Sequence, residues 1–204
     1  MDTARRERAL QAAVWRRRTY VVPELARLRD RALNMLRLAV AGRNEEMSEL
    51  DDTSIRLVGE GLGAHVPSVK GRPACDVGVA YSENPDTCPV HCWLAWQAAK
   101  LAAGAAPGGP ALPVDQWGNL GATRLSPDGC GRAMSRAAQY AGLTGRRITG
   151  HSARRGVVVA GRKRGKRVEK LRAQGGWSKK SLVFWEYADE GERWEGNATD
   201  GIDL

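Results

Sequence analysis

Apolar positions recur along this chain with two different periods, and those periods divide it into elements. From Pro23 onward, Leu25, Leu28, Ala32, Leu33, Leu36, Ala39 and Val40 fall at three- and four-residue steps, one stripe on a helix that Gly42 ends. Residues 54 to 80 lose that period. Ile55 and Leu57, then Cys75, Val77 and Val79, stand at every second position as half-buried strands do, and Gly59, Gly61 and the run Lys70-Gly71-Arg72-Pro73 supply turns. Val90, Trp93, Leu94, Gln97, Ala98 and Leu101 predict a second helix that opens near Thr87 to Pro89 and closes at Gly104. A Gly, Pro and Ala loop follows over 104–113. Ser126 then caps a third helix, with Pro127 in its first turn and Cys130, Ala133, Met134, Ala137, Ala138 and Ala141 as its buried face. Beyond Ile148 the pattern predicts short helices broken at Gly161, Gly165 and Gly175-Gly176, and a last helix around Leu182 to Tyr187. The predicted fold class is α+β: mostly α, with one small antiparallel β-sheet.

A length of 204 residues fits one domain with appendages. The boundaries read as an arginine-rich arm over 1–20, a main domain over 21–190 and an acidic tail over 191–204. No uncharged apolar stretch is long enough for a membrane helix, and MDTARRERAL carries charge where a signal peptide needs an apolar run. Four cysteines are too few and too irregular for a disulfide framework, so they read as reduced thiols in a cytoplasmic protein without a membrane partner.

Charge changes the picture more. The net charge is +9, yet residues 141–188 alone hold thirteen basic residues and two acids, so that stretch is +11 and the rest is −2. One strongly basic quarter of the chain points to a polyanion partner, because each Lys or Arg on a phosphate releases condensed counterions. Arg155, Arg162, Lys163, Arg164, Lys179 and Lys180 are the candidate contacts, joined by Arg132 and Arg136 on the third helix; the competing reading is a solvated charged face.

Candidate chemistry lies in five places. His151-Ser152-Ala153-Arg154 is an H-x-x-R at a helix start; its three-residue step puts imidazole and guanidinium on one face. Upstream, Arg43 ends the first helix with Glu46 three residues on, and Lys70 stands at the tip of a hairpin. Downstream come Trp177 and Tyr187. In this order, with the surrounding GHSARRG and RAQGGW, the residues resemble the tyrosine recombinases or phage integrases, over roughly residues 23 to 190. The resemblance implies that family's catalytic-domain fold, and Arg43, Lys70, His151, Arg154, Trp177 and Tyr187 as catalytic residues, with Glu46 orienting an arginine. It implies a homotetramer on two double-stranded DNA sites in the integration or excision of a mobile element. It also implies a tail that docks on a neighbouring subunit; the alternative is that Trp194 folds back on its own core. Two features depart from the family: Trp177 and Tyr187 are ten residues apart, one more than in many members, and only 42 residues precede Arg43, leaving no room for a separate DNA-clamping domain.

The chemistry suits these residue types. Attack on a phosphodiester needs a nucleophile, neutralised phosphate oxygens and a proton for the departing sugar oxygen. Tyr187 can form a phosphotyrosyl bond that conserves the ester energy. Arg43 and Arg154 offer permanently charged bidentate donors, Lys70 a proton for the 5′ oxygen, His151 a hydrogen bond or a place for the tyrosine proton, and Trp177 an indole N–H. Simpler roles compete: Arg43 as a cation at a helix end, Trp177 as core. No metal and no cofactor is expected. Cys88-Pro-Val-His91-Cys92 lacks the second ligand pair of a structural zinc site and reads as a helix start, and no carboxylate cluster suggests a two-magnesium nuclease. Two rival functions remain open: type IB topoisomerase-like relaxation, and a non-catalytic DNA-binding remnant of an integrase.

Overall fold

The computed structural model describes residues 22–69, 73–109, 111–143, 145 and 147–194. The basic arm, Lys70 and the tail from residue 195 lie outside the described residues. In chain order the helices are α1 (Glu24–Val40), α2 (Asn44–Glu49), α3 (Pro89–Ala102), α4 (Pro127–Tyr140), α5 (Gly150–Arg162), α6 (Val168–Gln174) and α7 (Leu182–Glu192). Between α2 and α3 run the strands β1 (Ile55–Val58), β2 (Gly61–Val66) and β3 (Cys75–Ala80). They form one antiparallel sheet in the order β1-β2-β3, with Leu62 opposite Leu57 and Val79, and Ala64 opposite Ile55 and Val77. The architecture is thus mostly helical with a small antiparallel sheet. No helix among the described residues is long and apolar enough to cross a membrane.

Helix α1 is the spine. Leu33, Leu36 and Val40 pack on the inner sheet face of Leu62, Ala64, Val66, Val77 and Val79, and on Cys130 and Ala133 of α4. Ala32 meets Cys92 and Trp96 of α3. A separate core closes the C-terminal half, where Ala41, Val158, Leu171, Trp177, Phe184 and Ala188 cluster.

Four details differ from the sequence pattern. Helix α3 buries Cys92, Trp96 and Lys100 while Leu94 and Leu101 are exposed, because the Lys100 ammonium is drawn inward onto Asp52 and Gly109 O. Ala137 and Ala141 are exposed, whereas Gly129, Cys130, Ala133, Met134 and Ala138 are the buried residues of α4. Gly161 does not break α5; it gives Leu171 room against that helix, and the break comes at 163–165. Helix α7 continues to Glu192, across the expected domain boundary. Ser126 does cap α4, its hydroxyl accepting from Gly129 N at 3.1 Å.

The α1–α4 contact is polar as well as apolar. Asn34 donates to Ala133 O at 3.1 Å, and the fully buried Arg37 donates to Cys130 O at 2.9 Å. Burial holds the Arg37 guanidinium below its ordinary value, and it pushes the Cys130 thiol up to about 11, against the opposing pull of Arg37. Cys130 is therefore a neutral structural thiol. Asp30 takes two bonds from Arg136, at 2.8 and 2.6 Å, which ties Arg136 to this seam.

Candidate functional site

The site begins where α1 stops. Ala41 adopts a left-handed conformation, φ 48°, and Gly42 N returns to Arg37 O at 2.9 Å, which ends the helix. The chain restarts at once, so Arg43 is the residue that caps α2 rather than the last residue of α1. Its backbone N–H donates to Glu46 Oε2 at 2.8 Å and its Nη1 to Oε1 at 2.5 Å. Glu46 is fully buried, whereas the Arg43 side chain is one-third exposed. One carboxylate thus anchors an arginine that reaches the surface.

The same carboxylate faces the second arginine. Arg154, on α5, is buried at 4% exposure and lies 3.9 Å from Glu46 Oε2. Its Nη1 donates to Ala41 O and its Nη2 to Gly175 O at 3.1 Å. The left-handed turn at Ala41 and the end of α6 therefore both supply carbonyls to one guanidinium. Trp177 covers it, with the Arg154 carbon 4.0 Å from the indole centroid. Two positive groups share one acid, so the cluster keeps an excess positive charge in a poorly hydrated place, where an anion is attracted strongly.

Trp177 sits there because of the two residues before it. Gly176 takes φ 59°, a turn that favours glycine, and Trp177 N closes it onto Arg172 O at 3.0 Å. At Gly175 a Cβ would lie 1.7 Å from the indole ring, so the ring rests directly on the backbone. Gly175→Ala is expected to displace the indole, cost about 1–3 kcal/mol of stability through overpacking, and shift the tryptophan emission; unfolding with fluorescence detection checks both.

His151 and Tyr187 stand in a second part of the site. An open groove of about 700 Å³ between α5 and α7 is lined by Arg147, His151, Arg155, Tyr187, Glu190 and Arg193, among others. His151 is exposed on the first turn of α5, three residues before the buried Arg154. Tyr187 is half-buried and packs against the cluster that contains Trp177. The structure therefore joins Arg43, Glu46, Arg154 and Trp177 in one network and brings His151 and Tyr187 to one groove.

The basic candidates also divide. Arg132 pairs with Asp128, Arg136 with Asp30, Arg155 with Glu190 and Arg162 with Glu192. Lys163, Arg164, Lys179 and Lys180 are exposed. The Arg155 fork is the main reason that the Glu190 carboxyl is held below its usual range. The pair therefore adds stability above the unfolded carboxyl value, and that contribution is lost as pH falls through the lowered one.

Three contributors were given no site role by the sequence pattern. The Asn44 amide is wedged between α4 and α5: a Cβ at Gly131 would lie 2.9 Å from its Nδ2, and one at Gly150 2.3 Å from its Oδ1. Gln174 Nε2 donates to Ala39 O at 2.8 Å and Gly78 O at 2.9 Å, tying α6 to the end of α1 and to β3. Gly175 gives a carbonyl to Arg154 and a seat to Trp177. A double glycine before a tryptophan was the only visible signal among these.

No family model matches the chain, and no curated protein does. A solved structure does: the crystal structure of XerA recombinase is similar at a TM-score of 0.54 and 19% identity, over 86% of this chain and 62% of that one. The two share a fold. The match spans less than two thirds of that protein's length, and at this identity the likeness speaks for fold alone.

Proposed function

We propose that this chain is a site-specific DNA strand transferase of the tyrosine recombinase type, breaking and rejoining DNA through a 3′-phosphotyrosyl intermediate on Tyr187 without a metal. The observation that carries the reading is the charge-excess network of Arg43, Glu46 and Arg154 under Trp177, beside a groove lined by His151 and Tyr187, in a chain with a recombinase's fold.

The residues divide the reaction among them. Arg43 and Arg154 neutralise the non-bridging oxygens, and the prior engagement of both with Glu46 means that little reorganisation is left for the transition state. The Tyr187 oxygen bonds to phosphorus as the bond to the 5′ oxygen breaks, and that oxygen takes a proton, for which Lys70 is the proposed source. His151 takes or shares the tyrosine proton. Return of a 5′ hydroxyl reverses each step and frees Tyr187. In the cell the reading extends to a homotetramer joining two DNA sites of a mobile element.

A pool of nicked duplexes with randomised sequence around the nick is the probe, because the loss of a short 5′ strand traps the intermediate. A denaturant-resistant protein–DNA adduct is expected, at the same yield with chelator present. Strict magnesium dependence contradicts the reading. Tight DNA binding with no adduct assigns the chain to a non-catalytic role.

Binding should weaken steeply with salt. Removing both exposed cations of the 163–165 turn, Lys163→Ala with Arg164→Ala, is expected to flatten the slope of log affinity against log salt by up to about 2. Arg162→Ala should instead act on stability, since Arg162 holds Glu192 and Lys166 O. An unchanged slope in the double variant places the turn off the DNA path.

A further inference from the structure

The helix that carries Tyr187 is fastened to α5 by a ladder of contacts. On α7, Tyr187, Glu190 and Gly191 share a face at three- and four-residue steps. On α5, His151, Arg155 and Val159 do the same, and these residues face one another across the groove. At the far end the backbones touch: a Cβ on Gly191 would lie 2.6 Å from Arg162 Cβ and 2.9 Å from Val159 O. Arg162 also pairs with Glu192 there. That end is fixed by packing.

One residue nearer Tyr187 the tie is polar. Arg155 Nε donates to Glu190 Oε2 and its Nη2 to Oε1, each at 2.6 Å, a parallel two-bond fork. A guanidinium carries five N–H donors, and the fork uses two on one edge. The Arg155 side chain is 55% exposed in the groove, so its remaining donors stay accessible while the fork fixes the plane. Two acids, Glu186 and Glu190, line this groove, where a carboxylate would repel a bound phosphate, and Glu190 is forked to a cation. The place of Glu190 is explained if it orients that cation.

We propose that Glu190 is a positioning residue of this site: by holding one edge of Arg155 it keeps the tyrosine helix in register with His151 and presents the other edge of that guanidinium to a DNA phosphate. The inference rests on the strand-transfer reading and adds to it a residue that never touches substrate. Lysine at 155 keeps the charge but cannot serve both partners, because an ammonium has no second edge. Glutamine at 190 keeps the size but loses the charged fork.

The experiment uses the full chain and the randomised nicked-duplex pool, and measures the rate of adduct formation at saturating DNA together with the half-saturating DNA concentration. Glu190→Gln and Arg155→Lys are each expected to lower the saturating rate roughly 10- to 100-fold, the loss expected of a misplaced nucleophile. In Glu190→Gln the half-saturating concentration should stay within about twofold, since every phosphate-contacting charge is retained. The double variant should be no slower than the slower single one, because both remove the same fork. A change in half-saturation alone, additive rate losses, or an unchanged rate in Glu190→Gln overturns the proposal. If Tyr187→Phe still abolishes the adduct in that case, the strand-transfer reading stands without it; an adduct that survives Tyr187→Phe overturns the reading itself.

Discussion

Glu46→Gln is expected to destabilise the protein by about 3–5 kcal/mol and to remove most of its strand cleavage. Glu46 is fully buried, binds the side chain and backbone of Arg43, and lies 3.9 Å from Arg154. Glutamine is nearly isosteric but uncharged. It leaves a buried guanidinium and a one-third exposed one on a neutral amide, and breaking a buried ion pair from one side costs far more than the pair contributes in net terms. In a domain of this size the loss corresponds to a fall in melting temperature of about 6–20 °C. The same substitution frees Arg43 to rotate out of the site, so the cleavage rate should fall by about 10²–10³, the scale set by loss of one oxyanion donor. Thermal unfolding and adduct kinetics below the transition measure the two separately. Wild-type stability in Glu46→Gln would mean that the two arginines do not depend on this acid.

Much of the fold was legible in the sequence, for physical reasons that also explain the gaps. The α1 stripe was readable because Leu33, Leu36 and Val40 lie at helical spacing on a sheet that is itself apolar. Strand β2 was passed over: Gly59 and Gly61 read as turn residues, although Leu62, Ala64 and Val66 alternate cleanly and fill the sheet's inner face. The buried face of α3 was misplaced because hydropathy puts a lysine outside, whereas Lys100 is drawn in by Asp52. Order along the chain singled out Arg43, Arg154 and Trp177, whose side chains meet in one network. It did not reveal Asn44, Gln174 and Gly175, which act through backbone contacts and close approach to other elements. The pairing of Arg155 and Glu190 was equally hidden, because the two are 35 residues apart and meet only when α7 folds back on α5.

Tyr187→Phe is expected to abolish the covalent adduct, a loss beyond about 10³-fold, since removing a nucleophile leaves only uncatalysed attack. DNA affinity and melting temperature should change little. The ring is half-buried against the Trp177 and Phe184 cluster, and phenylalanine keeps that packing. Among the described residues the competitors are Tyr140 and Tyr81, at 69% and 45% exposure, and neither lines the groove with His151, while Tyr20 lies outside the described residues. Their phenylalanine variants should retain the adduct.

The most direct test of the phosphotyrosyl assignment is to digest the adduct trapped from the native chain and identify the nucleotide-bearing peptide by mass spectrometry. The reading predicts a single modified peptide with the nucleotide on the Tyr187 oxygen through its 3′ phosphate. A nucleotide on any other residue, or attached through a 5′ phosphate, would contradict it.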